Sequence, residues 1–149
     1  MIPAKLDAKG RVFFPSAFRR QLPAADAEFV LKRDVYQPCL VLYPHEVWEH
    51  EVDELSRRLN RWNPREAMLF RRFLADAETF VLDGSGRFLI PRRLLEAAGM
   101  SHDVVFVGVD DRVEVWSKER ASVPFVSDAD YAAEMEALMG GPSGEGEEA

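Results

Sequence analysis

Apolar and polar residues alternate along this chain in short blocks whose period changes from block to block. Ile2 to Leu6, Glu28 to Lys32, Leu40 to Tyr43, Glu78 to Leu82, Val104 to Val109 and Val113 to Trp116 are brief β-rich runs bounded by turn residues, and each predicts a strand. Arg33 to Pro38 is a polar turn within the first half, and Asp110-Asp111-Arg112 joins the last two strands as a hairpin. Ser16 to Leu22 predicts a helix with Ala17, Phe18 and Leu22 on its apolar side, stopped by Pro23. From His45 to Trp62 the period becomes helical. Trp48, Val52, Leu55, Leu59 and Trp62 recur at spacings of four, three, four and three, which lays one apolar stripe along the segment. Asn63-Pro64-Arg65-Glu66 interrupts that helix and starts another, running to about Ala75, with Asn63 as cap and Glu66 completing a capping-box pattern. Arg92 to Ala98 reads as a helix closed by Gly99, and Ser117 as the cap of a short helical turn. Asp128 to Met139 reads as a helix with Tyr131, Met135, Leu138 and Met139 on one side, before a Gly- and Glu-rich end, 140–149, expected to be disordered.

One stretch occurs twice. Leu6-Asp7-Ala8-Lys9-Gly10-Arg11-Val12-Phe13-Phe14-Pro15 returns 76 positions later as Leu82-Asp83-Gly84-Ser85-Gly86-Arg87-Phe88-Leu89-Ile90-Pro91. Within each copy Asp7 or Asp83 can bind backbone amides just ahead of it, and Gly10 or Gly86 tolerates the positive φ that closes a tight turn. Arg11 or Arg87 leaves the turn, a buried apolar strand of three follows, and the Pro suits the first position of a helix. Duplication of such a unit implies that neither half buries its apolar face alone and that the two pack together. The two Arg residues are then related by a local pseudo-twofold, an arrangement suited to a repeating partner such as DNA.

These paired motifs resemble those of the MraZ family. The resemblance covers roughly residues 2 to 120. It rests on the two Asp-x-x-Gly-Arg units, on Leu42-Tyr43-Pro44 with Trp48, on Ile90-Pro91, and on Val107-Gly108-Val109 with Val115-Trp116-Ser117-Lys118-Glu119-Arg120. The stretch ahead of the first motif is shorter than the family's usual lead-in. The resemblance implies an α+β, mostly β chain. Two pseudo-symmetric AbrB-like swapped-hairpin modules would form one small barrel-like core with connecting amphipathic helices. The expected division is residues 1–46 and 77–120 as the modules, 47–76 as a helical connector and 121–149 as an acidic tail. It further implies a transcriptional regulator that assembles as a ring-shaped homo-oligomer and represses or modulates the division and cell-wall gene cluster. The ring would bind short repeated G-rich promoter boxes, one per subunit.

Composition modifies this picture only in one respect. The net charge of -7 is unusual for a DNA binder, but seven of the 26 acidic residues fall in 128–149, where there is no Lys or Arg. The first 127 residues balance 19 acidic against 19 basic side chains, so a basic face needs only segregation of those charges. A uniformly basic, histone-like protein is excluded. The longest apolar stretch, Val104 to Val109, is far short of a membrane span, and the N-terminus has no signal-peptide core. With a single cysteine, Cys39, an intrachain disulfide is excluded, and a cytoplasmic, nucleoid-associated protein is expected.

The sequence offers no enzyme signature, cofactor or small-molecule substrate. His45 and His50 are five residues apart, about 140° around a helix, where a zinc-protease pair needs four. Cys39 lacks an activating neighbour and reads as a small semi-buried residue, and Gly84 and Gly86 lead into a strand, which does not fit a phosphate loop. Asp110-Asp111 needs no role beyond its turn. Two function classes remain. The first is DNA binding, with Lys9, Arg11 and Arg87 presented from the paired turns, Arg19 and Arg20 as further candidates, and the first turn as the main reader because Ser85 replaces Lys9 in the second. Arg57, Arg58, Arg61, Arg65, Arg71 and Arg72 on the two connecting helices read as a solvated or subunit-contacting face. The alternative is an antitoxin-like interaction module that uses the acidic C-terminal tail.

Overall fold

The computed structural model describes residues 1–20, 27–123 and 125–140. Its first half runs β1 (Ile2–Lys5), β2 (Arg11–Phe13), α1 (Ser16–Arg19), β3 (Phe29–Arg33) and β4 (Leu40–Pro44). Helices α2 (His45–Arg58) and α3 (Pro64–Ala75) lead to the second half: β5 (Glu78–Phe80), β6 (Arg87–Leu89), α4 (Arg92–Ala97), β7 (Asp103–Val109) and β8 (Arg112–Ser117). Two helices follow, α5 (Lys118–Ala121) and α6 (Asp128–Met139). The architecture is α+β and mostly β, and no helix among the described residues is long and apolar enough to cross a membrane.

The two halves interleave. Six strands form one antiparallel sheet in the order β1-β7-β8-β4-β3-β5, and β2 and β6 form a separate two-stranded ribbon. Exchanging β1 with β5, β3 with β7 and β4 with β8 makes the sheet order read backwards, the mark of a pseudo-twofold axis between β4 and β8. The register obeys the same axis. Ile2 faces Phe106 as Glu78 faces Leu31, and Arg11 faces Leu89 as Arg87 faces Phe13. Neither half could keep its outer strand if separated, because β1 pairs with β7 and β5 with β3.

The main core lies between one face of the sheet and the ribbon. Val12, Phe14, Phe88 and Ile90 from the ribbon side meet Phe29, Leu31, Leu40, Leu42, Phe106 and Val115 from the sheet, all buried. Phe29 and Phe88 meet edge to face with ring centres 5.4 Å apart, a favoured aromatic geometry. On the other face Val30, Val41 and Tyr43 are covered by Val47 and Trp48 of α2. The Trp48 ring stacks in turn on Phe73 of α3 at 5.3 Å. Strands β3 and β4 are thus covered on both sides, which is why their sequences are nearly continuous apolar runs.

Several expectations need correction. The core is not a closed barrel: β1 and β5 remain the two edges of the sheet, and the three-residue strands β2 and β6 pair with each other instead of bridging those edges. The first connecting helix stops at Arg58, and Trp62 is 94% exposed in the turn beyond it. Local polar acceptors outcompete the helix there. Asn60 Oδ1 accepts from the Trp62 amide at 3.0 Å, and Asn63 Oδ1 caps α3 through the Arg65 and Glu66 amides. Glu66 reaches back to the amide of Asn60, not to that of the cap residue. Phe13 and Leu89, read as buried with their neighbours, point to solvent at 56% and 45% exposure. Leu22, Pro23 and 141–149 lie outside the described residues.

Candidate nucleic-acid interface

Each copy of the repeated motif folds around its aspartate. Asp7 Oδ1 accepts the amides of Lys9 (2.9 Å) and Arg11 (2.8 Å), while Oδ2 accepts Arg11 Nε at 2.7 Å. Asp83 repeats the pattern with the amides of Ser85 (2.9 Å) and Arg87 (2.8 Å) and with Arg87 Nε at 3.1 Å. The Gly10 and Gly86 amides donate back to the carbonyls of Asp7 and Asp83, with φ of +89° and +87° at the glycines. A residue with a Cβ is strained in that backbone region, and at Gly10 the Cβ would also meet the Ile90 carbonyl at 3.0 Å. Asp7 therefore ionises at about 2, held down first by the Arg11 amide and then by the Arg11 side chain and Lys9 amide; Asp83 is lowered by the equivalent bonds, led by the Arg87 amide.

The copies are also bonded to each other. Phe14 donates its amide to the Gly86 carbonyl at 3.0 Å, and Ile90 donates to the Gly10 carbonyl at 2.9 Å. These bonds extend the ribbon at both ends and fix where each turn sits relative to the other. Side chains alternate across the ribbon. Val12 and Phe88 face the core, so Arg11, Phe13, Arg87 and Leu89 share the opposite, solvent face. The pairs Arg11–Leu89 and Phe13–Arg87 occupy the closely spaced, non-hydrogen-bonded sites, and the Arg87 guanidinium lies 5.9 Å from the Phe13 ring centre. Two residues of rise and one strand spacing put the Arg11 and Arg87 Cα atoms about 8 Å apart. The side chains are 36% and 28% exposed, with Nε tied to the aspartate, which aims the guanidinium fork without burying it.

The remaining candidates divide. Lys9 and Arg20 are exposed and have no ion-pair partner among the described residues. Arg19 reaches over the second turn, its Nη2 3.5 Å from the Gly86 carbonyl and against the space where a Cβ would stand. The pseudo-equivalent residue, Leu95, approaches Gly10 instead. The second turn thus lacks a lysine at Ser85 but gains Arg19, so each turn carries two basic side chains. That pairing is visible in the sequence only when the 76-residue offset is extended past the motif into α1 and α4. Arg93 is drawn away, tied to Asp76 at 3.1 Å and to Glu78. The exposed Phe13 and Leu89 escaped the sequence reading because an apolar triplet conceals the alternation. Arg11-x-Phe13 and Arg87-x-Leu89 become one face only when the two copies are known to pair.

Cys39 is buried, and burial raises its thiol well above the ordinary range. His45 lies 3.1 Å from Glu49, one turn along α2, and no group of three or more His, Cys, Asp or Glu residues among those described is placed to hold a metal ion.

Comparison with known proteins adds an independent line. A family model described as "MraZ protein, putative antitoxin-like" matches residues 3–72 and again residues 73–120. The chain is 54% identical over 138 residues to a transcriptional regulator MraZ of Phocaeicola vulgatus, covering 92% of this chain and 90% of that protein. It is 49% identical over 139 residues to the Bacteroides fragilis protein of the same name, covering 93% and 88%. The like-named protein of Bacteroides thetaiotaomicron is 45% identical over 139 residues, covering 93% and 89%.

Proposed function

The chain belongs to the MraZ family of transcriptional regulators, and from that premise we propose that it binds promoter DNA sequence-specifically through the outer face of the β2–β6 ribbon and its two turns. The observation that carries this reading is the pair of aspartate-braced guanidinium groups, Arg11 and Arg87, related by the pseudo-twofold on one solvent face. Arg is the side chain shaped for bidentate contact with guanine, and a two-stranded ribbon fits a major groove. Lys9, Arg19 and Arg20 add phosphate contacts around it, with the first turn as the main reader. Asp7, Gly10, Asp83 and Gly86 hold the turns in shape.

In this reading residues 1–46 and 77–120 are AbrB-like swapped-hairpin modules, 47–76 is a connector and 121–149 an acidic tail. The protein acts in the cytoplasm, on the nucleoid, as a repressor of the division and cell-wall gene cluster. Subunits of a ring-shaped homo-oligomer each take one G-rich box, so that weak single contacts are multiplied by effective concentration. Neither cofactor, small molecule nor catalysis enters the account.

Footprinting on DNA upstream of the protein's own gene tests it. Protection of several regularly spaced G-rich boxes is expected, and an unprotected upstream region refutes the proposal. A second reading has a specific observation behind it: α6 carries Asp128, Asp130, Glu134 and Glu136 and no basic residue, as an antitoxin-like module covering a basic partner protein would. It predicts binding of a protein partner with no affinity for the upstream DNA.

A further inference from the structure

Two features lie outside the proposed DNA face. One is a groove of about 800 Å³ between α2, α3 and the β3–β4 turn, with an apolar lining from Val35, Tyr36, Leu55, Leu69 and Phe73. Val35, Tyr36 and Leu69 are exposed there. The other is α6, on which Tyr131, Met135 and Met139 stand exposed on one side. At about 100° of turn per residue, Glu134 and Glu136 flank that side to left and right, and Asp128 stands at its N-terminal end.

The charges of the two features are complementary. The groove holds acidic residues, but each is already engaged. Glu51 meets Arg112 at 2.9 Å, Glu54 meets Arg57 at 3.0 Å and Arg58 at 3.4 Å, Asp76 meets Arg93 and Lys32, and Asp34 accepts the amides of Tyr36 and Gln37. Arg72, which lines the same groove, has no ion-pair partner among the described residues, and neither has Arg65 on the same side of α3. Arg33 of the lining likewise has no ion-pair partner among the described residues, and Asp34 is the one acidic side chain there that no cation meets, so the unmet charge at the groove is positive on balance, while α6 carries no basic residue. Both α3 and α6 span 12 residues, about 18 Å, so that one can lie along the other.

We infer that α6 of one copy seats its Tyr131, Met135 and Met139 side in the α2–α3 groove of a second copy, with the flank that faces α3, Glu134 or Glu136, against the free arginines. This is a helix-in-groove contact with an acidic helical ligand. The chain's own α6 does not line its groove; its approach is held by Phe125, whose ring packs 4.9 Å from Trp116 on β8. Because the two surfaces differ, the contact is head to tail, and such contacts propagate into a closed ring or an open filament. The inference rests on the homo-oligomeric part of the proposed function and gives that assembly a specific joint.

Charge exchange on the full chain tests it. Light scattering during size-exclusion chromatography reads the assembly mass of wild type, Arg72→Glu, Glu134→Arg with Glu136→Arg, and the combination of all three. Each half-exchange is expected to raise the dissociation concentration by about tenfold or more, and the combination to restore assembly. All the altered residues are exposed, and circular dichroism confirms that each variant is folded. An oligomeric wild type whose mass is indifferent to every exchange overturns the α6 joint and leaves the oligomer standing. A wild type that is monomeric throughout overturns both. Variants that lose thermal stability at unchanged mass place α6 on its own chain, which also overturns the inference. A gel shift on a single box reports DNA binding separately.

Discussion

The working unit is a carboxylate that does two jobs. Asp7 gathers two backbone amides to shape its turn and orients Arg11 through Nε. Because those bonds require the ionised carboxylate, they lower its folded pKa to about 2, below the ordinary value near 3.8. The sign follows from linkage. A depressed acid contributes its full stabilisation above the unfolded pKa and loses it as pH falls through the folded one, so the turn weakens between about pH 4 and pH 2 and is indifferent to pH near neutrality. A carboxyl-carbon NMR titration should show Asp7 among the last carboxylates to protonate; a midpoint near 4 would mean the bracing is absent. Gly10→Ala tests the backbone half of the same turn. Its φ of +89° and the Ile90 carbonyl beside it predict a loss of about 1–2 kcal/mol or more, measured by denaturant unfolding. An unchanged midpoint would show that the turn relaxes at no cost.

At the scale of elements, the sequence told most where one physical rule acted alone. The Asp-x-x-Gly turns, the Asn63 cap of α3, the Gly99 terminus of α4 at φ +65° and the Ser117 cap each depend on a few adjacent residues, and each occurs as read. What depended on distant pairing was hidden. Nothing local says that β2 pairs with β6 and not with β1, so the buried triplet Val12 to Phe14 conceals an exposed Phe13 and the reach of Arg19 to the second turn. Trp62 fits the apolar stripe arithmetically, yet the asparagines on either side of it end the helix first. Interleaving also has an energetic consequence. Phe88 belongs to the second half but packs against Phe29 and Phe14 of the first. Phe88→Ala should cost about 3–5 kcal/mol and unfold both halves in one transition. Two separated transitions would indicate that the halves are independent after all.

For the whole molecule, the pseudo-twofold decides what the surface can present. It brings two copies of a turn, separated by 76 residues of chain, onto one ribbon. Four basic side chains, Lys9, Arg11, Arg19 and Arg87, cluster at those turns while the acidic excess sits beyond residue 127. Neutrality of the body is therefore compatible with a locally positive face, and net charge alone is a poor guide to partner. The most direct measurement of the central claim is a gel-shift titration on the upstream duplex at two salt concentrations, with wild type, Arg11→Ala and Arg87→Ala. Contacts from the four cations predict a log–log salt slope of about -3 to -4 for each bound subunit. Arg11→Ala should abolish specific binding and Arg87→Ala weaken it, with both variants still folded. Binding that ignores salt, or an Arg11→Ala variant that shifts the duplex as wild type does, would contradict the claim that the paired turns read DNA.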